Sequence, residues 1–257
     1  MMRNDLANLA ELAQRFETSE FLACDPSRFM HEVEGEANRE AAAFIASSLS
    51  FGSRPQFMPR IDKIVHGFAK GDVDGWVRGG AFERDLPPRC GDCFYRFYTV
   101  ADVCAFLRTY RGVMQRHGSL GSCVRAECGG DGARAVAVIC RHFGASSGGI
   151  IPKDAKSACK RLCMFLRWMV RSGSPVDLGL WADFIDRRTL VMPLDTHVLQ
   201  QSQRLGLLST GAASFSAARR LTERLAEFFP SDPLKGDFAL FGLGISEAAA
   251  KKLSTCA

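Results

Sequence analysis

Asp154-Ala-Lys-Ser-Ala-Cys-Lys-Arg-Leu-Cys-Met-Phe-Leu-Arg-Trp-Met-Val-Arg-Ser172 is the stretch that decides the fold class. Ala158, Leu162, Phe165 and Met169 recur at helical intervals, and Cys159, Leu166 and Val170 widen them into one apolar face. That period predicts a long helix over 154–172 packed on other helices, with Asp154 as its N-cap. Lys160, Met164, Arg167 and Arg171 fall on the opposite, solvent-facing side. Ahead of it lie Gly144-Ala-Ser-Ser-Gly-Gly149 and Ile150-Ile151-Pro152, so Lys160 sits beside a glycine-rich loop and less than two turns from the helix start.

The same period continues in both directions. Toward the N-terminus, helices are expected over 4–20 behind Asn4, 37–50, about 57–71, and from Thr99 to Gly118, with shorter ones near 119–128 and 132–143. Thr99 with Asp102 three places on is a capping-box pattern. Toward the C-terminus, 178–184, 195–205, 216–229 and 233–243 read as helical. No segment alternates with period two as a strand would, so the expectation is an all-α protein. The 257 residues suit one large or two small domains.

At 47% hydrophobic and 24% charged, the composition excludes a disordered chain or a collagen-like fibre, and its apolar runs are too short for a bilayer. Arg3, Asn4 and Asp5 interrupt any apolar leader, so a cytoplasmic, reduced setting is expected for the ten cysteines. The formal net charge is +5. Between Lys153 and Arg171 six basic residues stand against Asp154 alone, a local excess equal to that of the whole chain. Such a stripe is either a solvated helix face or a footprint for an anion, nucleic acid foremost.

Three groups could carry chemistry. Lys160 combines a helix start, a glycine-rich loop and neighbouring cations, which together favour a neutral, nucleophilic amine, or it is a surface lysine. Asp195, in Leu190-Val-Met-Pro-Leu-Asp-Thr-His197, follows an apolar extended segment at a helix start, where an aspartate is an ordinary N-cap. His197 could orient it or simply be a helix histidine. Cys90 and Cys93 could join Cys123 and Cys128 around zinc, or all four could be free thiols. Cys159 and Cys163 read as core residues, and the lone Cys256 excludes an iron–sulfur spacing near the C-terminus.

Lys160 on a basic helix, followed 35 residues later by Asp195 within Pro193-Leu-Asp-Thr-His-Val198, resembles the helix-hairpin-helix (HhH-GPD) DNA glycosylase superfamily. The separation is similar to that in archaeal 8-oxoguanine glycosylases. Ile45 to Arg54 also looks like the superfamily's early helix and strand-separating loop. Cys159 to Arg171, Val176 to Trp181 and Asp232 to Gly244 look like an uncharacterised bacterial family placed in that superfamily, a likeness covering about residues 25 to 245. Two departures stand out. Gly148-Gly149-Ile150-Ile151-Pro152-Lys153 replaces the usual Leu-Pro-Gly-Val-Gly hairpin, and Gly52 stands where a strand-intruding glutamine is common.

The resemblance implies two helical subdomains, 37–188 with Lys160 and 1–36 plus 189–257 with Asp195, and a cleft between them. It implies a monomeric, bifunctional glycosylase and AP lyase of base-excision repair, acting on duplex DNA without a cofactor or metal. Lys160 and Asp195 would be catalytic. Arg54 or Gln56 would fill the gap left by an extruded base, and Asp237 and Phe238 would contact that base. Lys153, Lys156, Arg161, Arg167 and Arg171 would hold phosphates. A non-catalytic nucleic-acid-binding protein on the same fold is the alternative, and a zinc-stabilised interaction module is a third.

Overall fold

The computed structural model describes residues 8–87, 92–209 and 211–244. Among the described residues the chain is helical apart from one small hairpin. Helix α1 covers Leu9–Phe16, α2 Glu36–Leu49, α3 Arg54–Asp62 and α4 Val73–Gly79. Strands β1 (Cys93–Tyr95) and β2 (Tyr98–Thr99) pair antiparallel. Then come α5 (Val100–His117), α6 (Leu120–Cys128), α7 (Gly132–Phe143), α8 (Lys160–Val170), α9 (Thr196–Arg204) and α10 (Phe215–Ala226). A further helix, α11, runs over 235–244.

Helices α2 and α8 pack on each other at the centre. Ala41 through Leu49 are all buried, as are Leu162 through Val170, so both helices are covered on every side. Phe44 of α2 is the hub, with ring centroids 5.0 to 5.4 Å from Phe106, Tyr110, Phe143 and Phe165. Glu40, one turn earlier, accepts from the Leu120 and Gly121 backbone N–H groups and from the Trp181 indole, which fastens the start of α6 to α2. The capping box at α5 is present, with Asp102 N–H donating to Thr99 and Thr99 N–H donating to Asp102.

The structure corrects four expectations. Helix α8 starts at Lys160, not near 154, because Cys159 adopts a left-handed backbone (φ 46°) that stops helix on its N-terminal side. Residues 178–184 form no helix but hook onto the end of α8, Leu178 N–H donating to the Trp168 carbonyl and Trp181 N–H to that of Met169. The hairpin β1–β2 is too short for an alternation to register. Its two-residue turn, Arg96-Phe97, is fixed by Tyr95 Oη donating to the Phe51 carbonyl (2.6 Å). At the N-terminus, Asn4 lies outside the described residues; α1 is followed by a 3-10 turn over Ser19–Cys24 rather than running to 20. Among the described residues no helix is long and apolar enough to cross a membrane.

Candidate active site

Lys160 is the first residue of α8, and Asp195 is the N-cap of α9. Two separate helix starts therefore meet. Asp195 Oδ1 accepts from Val198 N–H (2.8 Å), leaving Oδ2 free to pair with Lys160 Nζ at 3.2 Å. Both side chains remain about a third exposed, at 39% and 35%, so the pair is within reach of a ligand. Each is held from behind. Leu190 to Leu194 are buried and extended, and Met192 N–H donates to Thr222 of α10. The connector 144–159 folds back on itself at Gly144, where a Cβ would collide with Lys153 and Pro152, and Phe215 N–H ties it to α10 through the Lys156 carbonyl.

The pair opens into a cavity of about 950 Å³. Its wall takes in the α2–α3 connector at Phe51, Gly52 and Arg54, the Ile150–Pro152 segment, the start of α8, Pro193 to Val198, and Asp237 and Phe241 of α11. Its size lies at the upper end of pockets that enclose small organic ligands, about 300–1,000 Å³. The partly exposed rings of Phe21, Phe51 and Phe241 supply apolar wall. Arg54 is exposed at the rim, paired with Asp25 (3.4 Å) and lying 5.7 Å from the Phe241 ring.

Several residues singled out in the sequence have other duties. Arg167 and Arg171 do not face solvent; they are 3% and 1% exposed. Arg167 bonds Asp177 (3.2 Å) and Asp237, while Arg171 bonds Asp177, Glu17 (2.7 Å) and, through two nitrogens, Asp232 (2.8 and 2.9 Å). The helical wheel placed both on a polar face, and they are on it, but that face is covered: Asp177 comes from the 174–178 turn, Asp237 from α11, Asp232 from the segment just before α11, and Glu17 from the end of α1. All three nitrogens of the Arg171 guanidinium are taken up by these carboxylates, whereas Arg167 also lines the cavity. Arg161 donates to Ser48 O, Ile150 O (2.8 Å) and Tyr98 Oη (3.1 Å), clamping α2, the connector and the hairpin around the cavity rim. Of the stripe, Lys153 and Lys156 are exposed, and Lys156 pairs with Asp154 (3.2 Å).

Gln56 is exposed on α3 and is absent from the cavity wall. Phe238 lines the cavity but is buried, and its ring carries the Arg167 guanidinium at 4.6 Å. Asp237 does reach the cavity. Burial pushes its carboxyl above the usual aspartate range, opposed by Arg167 and reinforced by the nearby Asp195 carboxylate. Next to Lys160, the Cys159 thiol is held below the usual thiol range by the neighbouring Cys140 thiol, against the opposing effect of burial. Of the zinc quartet, Cys90 lies outside the described residues, Cys93 is exposed, and Cys123 and Cys128 are buried.

The structure adds a residue that pattern reading passed over. Phe97, at the hairpin tip, is 62% exposed, and its ring lies 5.1 Å from that of Phe51 on the cavity wall. A lone aromatic in an irregular segment carries no periodic signal, and only the hairpin brings it to the rim.

Residues 25–246 match a family described as a protein of unknown function, DUF2400. No curated protein and no solved structure matches the chain.

Proposed function

The chain belongs to the DUF2400 family, and for it we propose a base-excision activity: removal of a damaged base, 8-oxoguanine foremost, from duplex DNA through a Schiff base on Lys160. The observation that carries this reading is the Lys160–Asp195 pair, 3.2 Å apart at the mouth of a cavity with aromatic walls. In this reading α7, the connector 144–159 and α8 play the part of a helix-hairpin-helix unit. Lys160 belongs to the subdomain 37–188, and Asp195 and Asp237 to the one formed by 1–36 and 189–257. The cavity is then the cleft between them.

The chemistry follows from two side chains. A damaged nucleotide is extruded from the duplex at a cost of a few kcal/mol, and its base enters the cavity against Phe241. Lys160 attacks C1′ as the free amine, and the base leaves with the electrons of the glycosidic bond. Asp195 stabilises the positive charge developing on the sugar and takes the proton released as the carbon–nitrogen bond forms. Opening of the sugar ring gives the Schiff base, and loss of a C2′ proton expels the 3′ phosphate, nicking the strand. Phe97 enters the gap left in the stack, the place that sequence reading assigned to Arg54 or Gln56, and Arg54 stays at the rim to meet a phosphate.

Duplexes carrying single lesions, incubated with the protein and resolved as strands, test the reading. Wild type nicks the 8-oxoguanine strand, Lys160→Gln does not, and Asp195→Asn slows it at least about a hundredfold. Phe97→Ala weakens binding to the lesion duplex by about tenfold while changing the melting temperature little, because the side chain is 62% exposed. Salt-sensitive DNA binding with no nicking on any lesion would leave a non-catalytic nucleic-acid-binding protein.

A further inference from the structure

Three helices meet at a second group of side chains that takes no part in the cavity. His117 ends α5, Cys123 lies in the first half of α6, and His142 is in the last turn of α7. Their ligand-type atoms all lie within 4.8 Å of one another. Cys123 is buried, while the two imidazoles are partly exposed, with the His142 side chain 19% exposed. The rings of His117 and His142 stand nearly perpendicular, 5.4 Å between centroids. His142 Nε2 is engaged by Glu127 Oε1 at 2.8 Å, and Glu127 also pairs with Arg141. With Nε2–H donated to a carboxylate, the Nδ1 lone pair is the one left free to bind.

We propose that His117, Cys123 and His142 form a zinc site, with Glu127 as the positioning carboxylate behind His142. Two nitrogens and one thiolate are a donor set that zinc accepts, at about 2.0–2.1 Å to nitrogen and about 2.3 Å to sulfur. In a tetrahedron those bonds put neighbouring donor atoms roughly 3.5 Å apart, so the group closes with a small rotation of the two exposed imidazoles. A carboxylate on the far ring nitrogen is the usual partner of a metal-bound histidine, fixing both tautomer and ring plane. The fourth position faces solvent and takes water. The ion fastens the C-terminal ends of α5 and α7 to α6, on the side of the α2–α8 core formed by these three helices.

The site differs from the Cys90, Cys93, Cys123, Cys128 quartet in every member but Cys123. The full chain, stripped with a chelator and kept reduced, is titrated with Co2+ and then with Zn2+. One equivalent of Co2+ is expected to give thiolate-to-metal charge-transfer absorption with intense tetrahedral d–d bands, which Zn2+ erases. The charge-transfer band is lost in Cys123→Ser and unchanged in Cys93→Ser. His117→Asn and His142→Asn weaken binding at least about tenfold, and Glu127→Gln by about 10–100-fold. His117 is partly exposed, so its variant decides the matter even if Cys123→Ser folds poorly. Absence of the band in wild type, its persistence in Cys123→Ser, or unchanged affinity in both histidine variants would overturn the proposal.

Discussion

Arg171 shows how one side chain can be misassigned by pattern and reassigned by packing. Its guanidinium is 1% exposed and touches Asp177, Asp232 and Glu17. A buried cation removed from three carboxylates leaves uncompensated charge behind, which typically costs about 3–5 kcal/mol. Chemical denaturation of Arg171→Met is therefore expected to show a loss of that size. Arg84→Ala, whose partner Asp85 it meets at 80% exposure, should leave the denaturation midpoint unchanged. The sequence could not separate these two arginines, since a helical period tells which side of a helix a residue occupies but not what covers that side. Lys160 and Asp195 were legible as candidates, each from its helix-start position. Their 3.2 Å approach was not, because it depends on how 190–194 is held against α10.

Among the elements, legibility tracked local chemistry. Helix α5 was readable to the residue at its start, since Thr99 and Asp102 satisfy each other's backbone without outside help. Helix α8 was not, because Cys159 holds a backbone conformation that residue type does not announce. The junction of α2 with α6 carries a pH signature. Burial raises the Glu40 carboxyl above its ordinary value of 4.5, partly offset by hydrogen bonds from Trp181, Gly121 and Leu120. The native state thus holds this proton more tightly than the unfolded chain does. The contribution of Glu40 to stability is complete below 4.5 and is lost as pH rises through the higher native value. The stability of wild type relative to Glu40→Gln, followed by denaturation across that range, is expected to fall as pH increases. A difference that is flat or rises with pH would contradict the assignment.

For the whole molecule, the all-α class followed from the 3.6-residue period, and the central place of α8 from its apolar face. The basic stripe was the misleading signal. Its summed charge of +5 dissolves in three dimensions into two exposed lysines, one lysine at the cavity mouth paired with Asp195, one clamp and two buried arginines. Each phosphate neutralised contributes roughly −0.9 to the slope of log affinity against log salt concentration. Lys153→Ala with Lys156→Ala is expected to reduce that slope by about 2, and most of the slope is then gone. The proposal stands or falls on one bond, between Lys160 Nζ and the C1′ of a damaged nucleotide. Borohydride added to wild type on an 8-oxoguanine duplex, followed by digestion and mass spectrometry, locates that bond directly. The account predicts a reduced adduct on the peptide carrying Lys160 and none on any other amine. An adduct on a different lysine, or no adduct on any lesion tried, would contradict it.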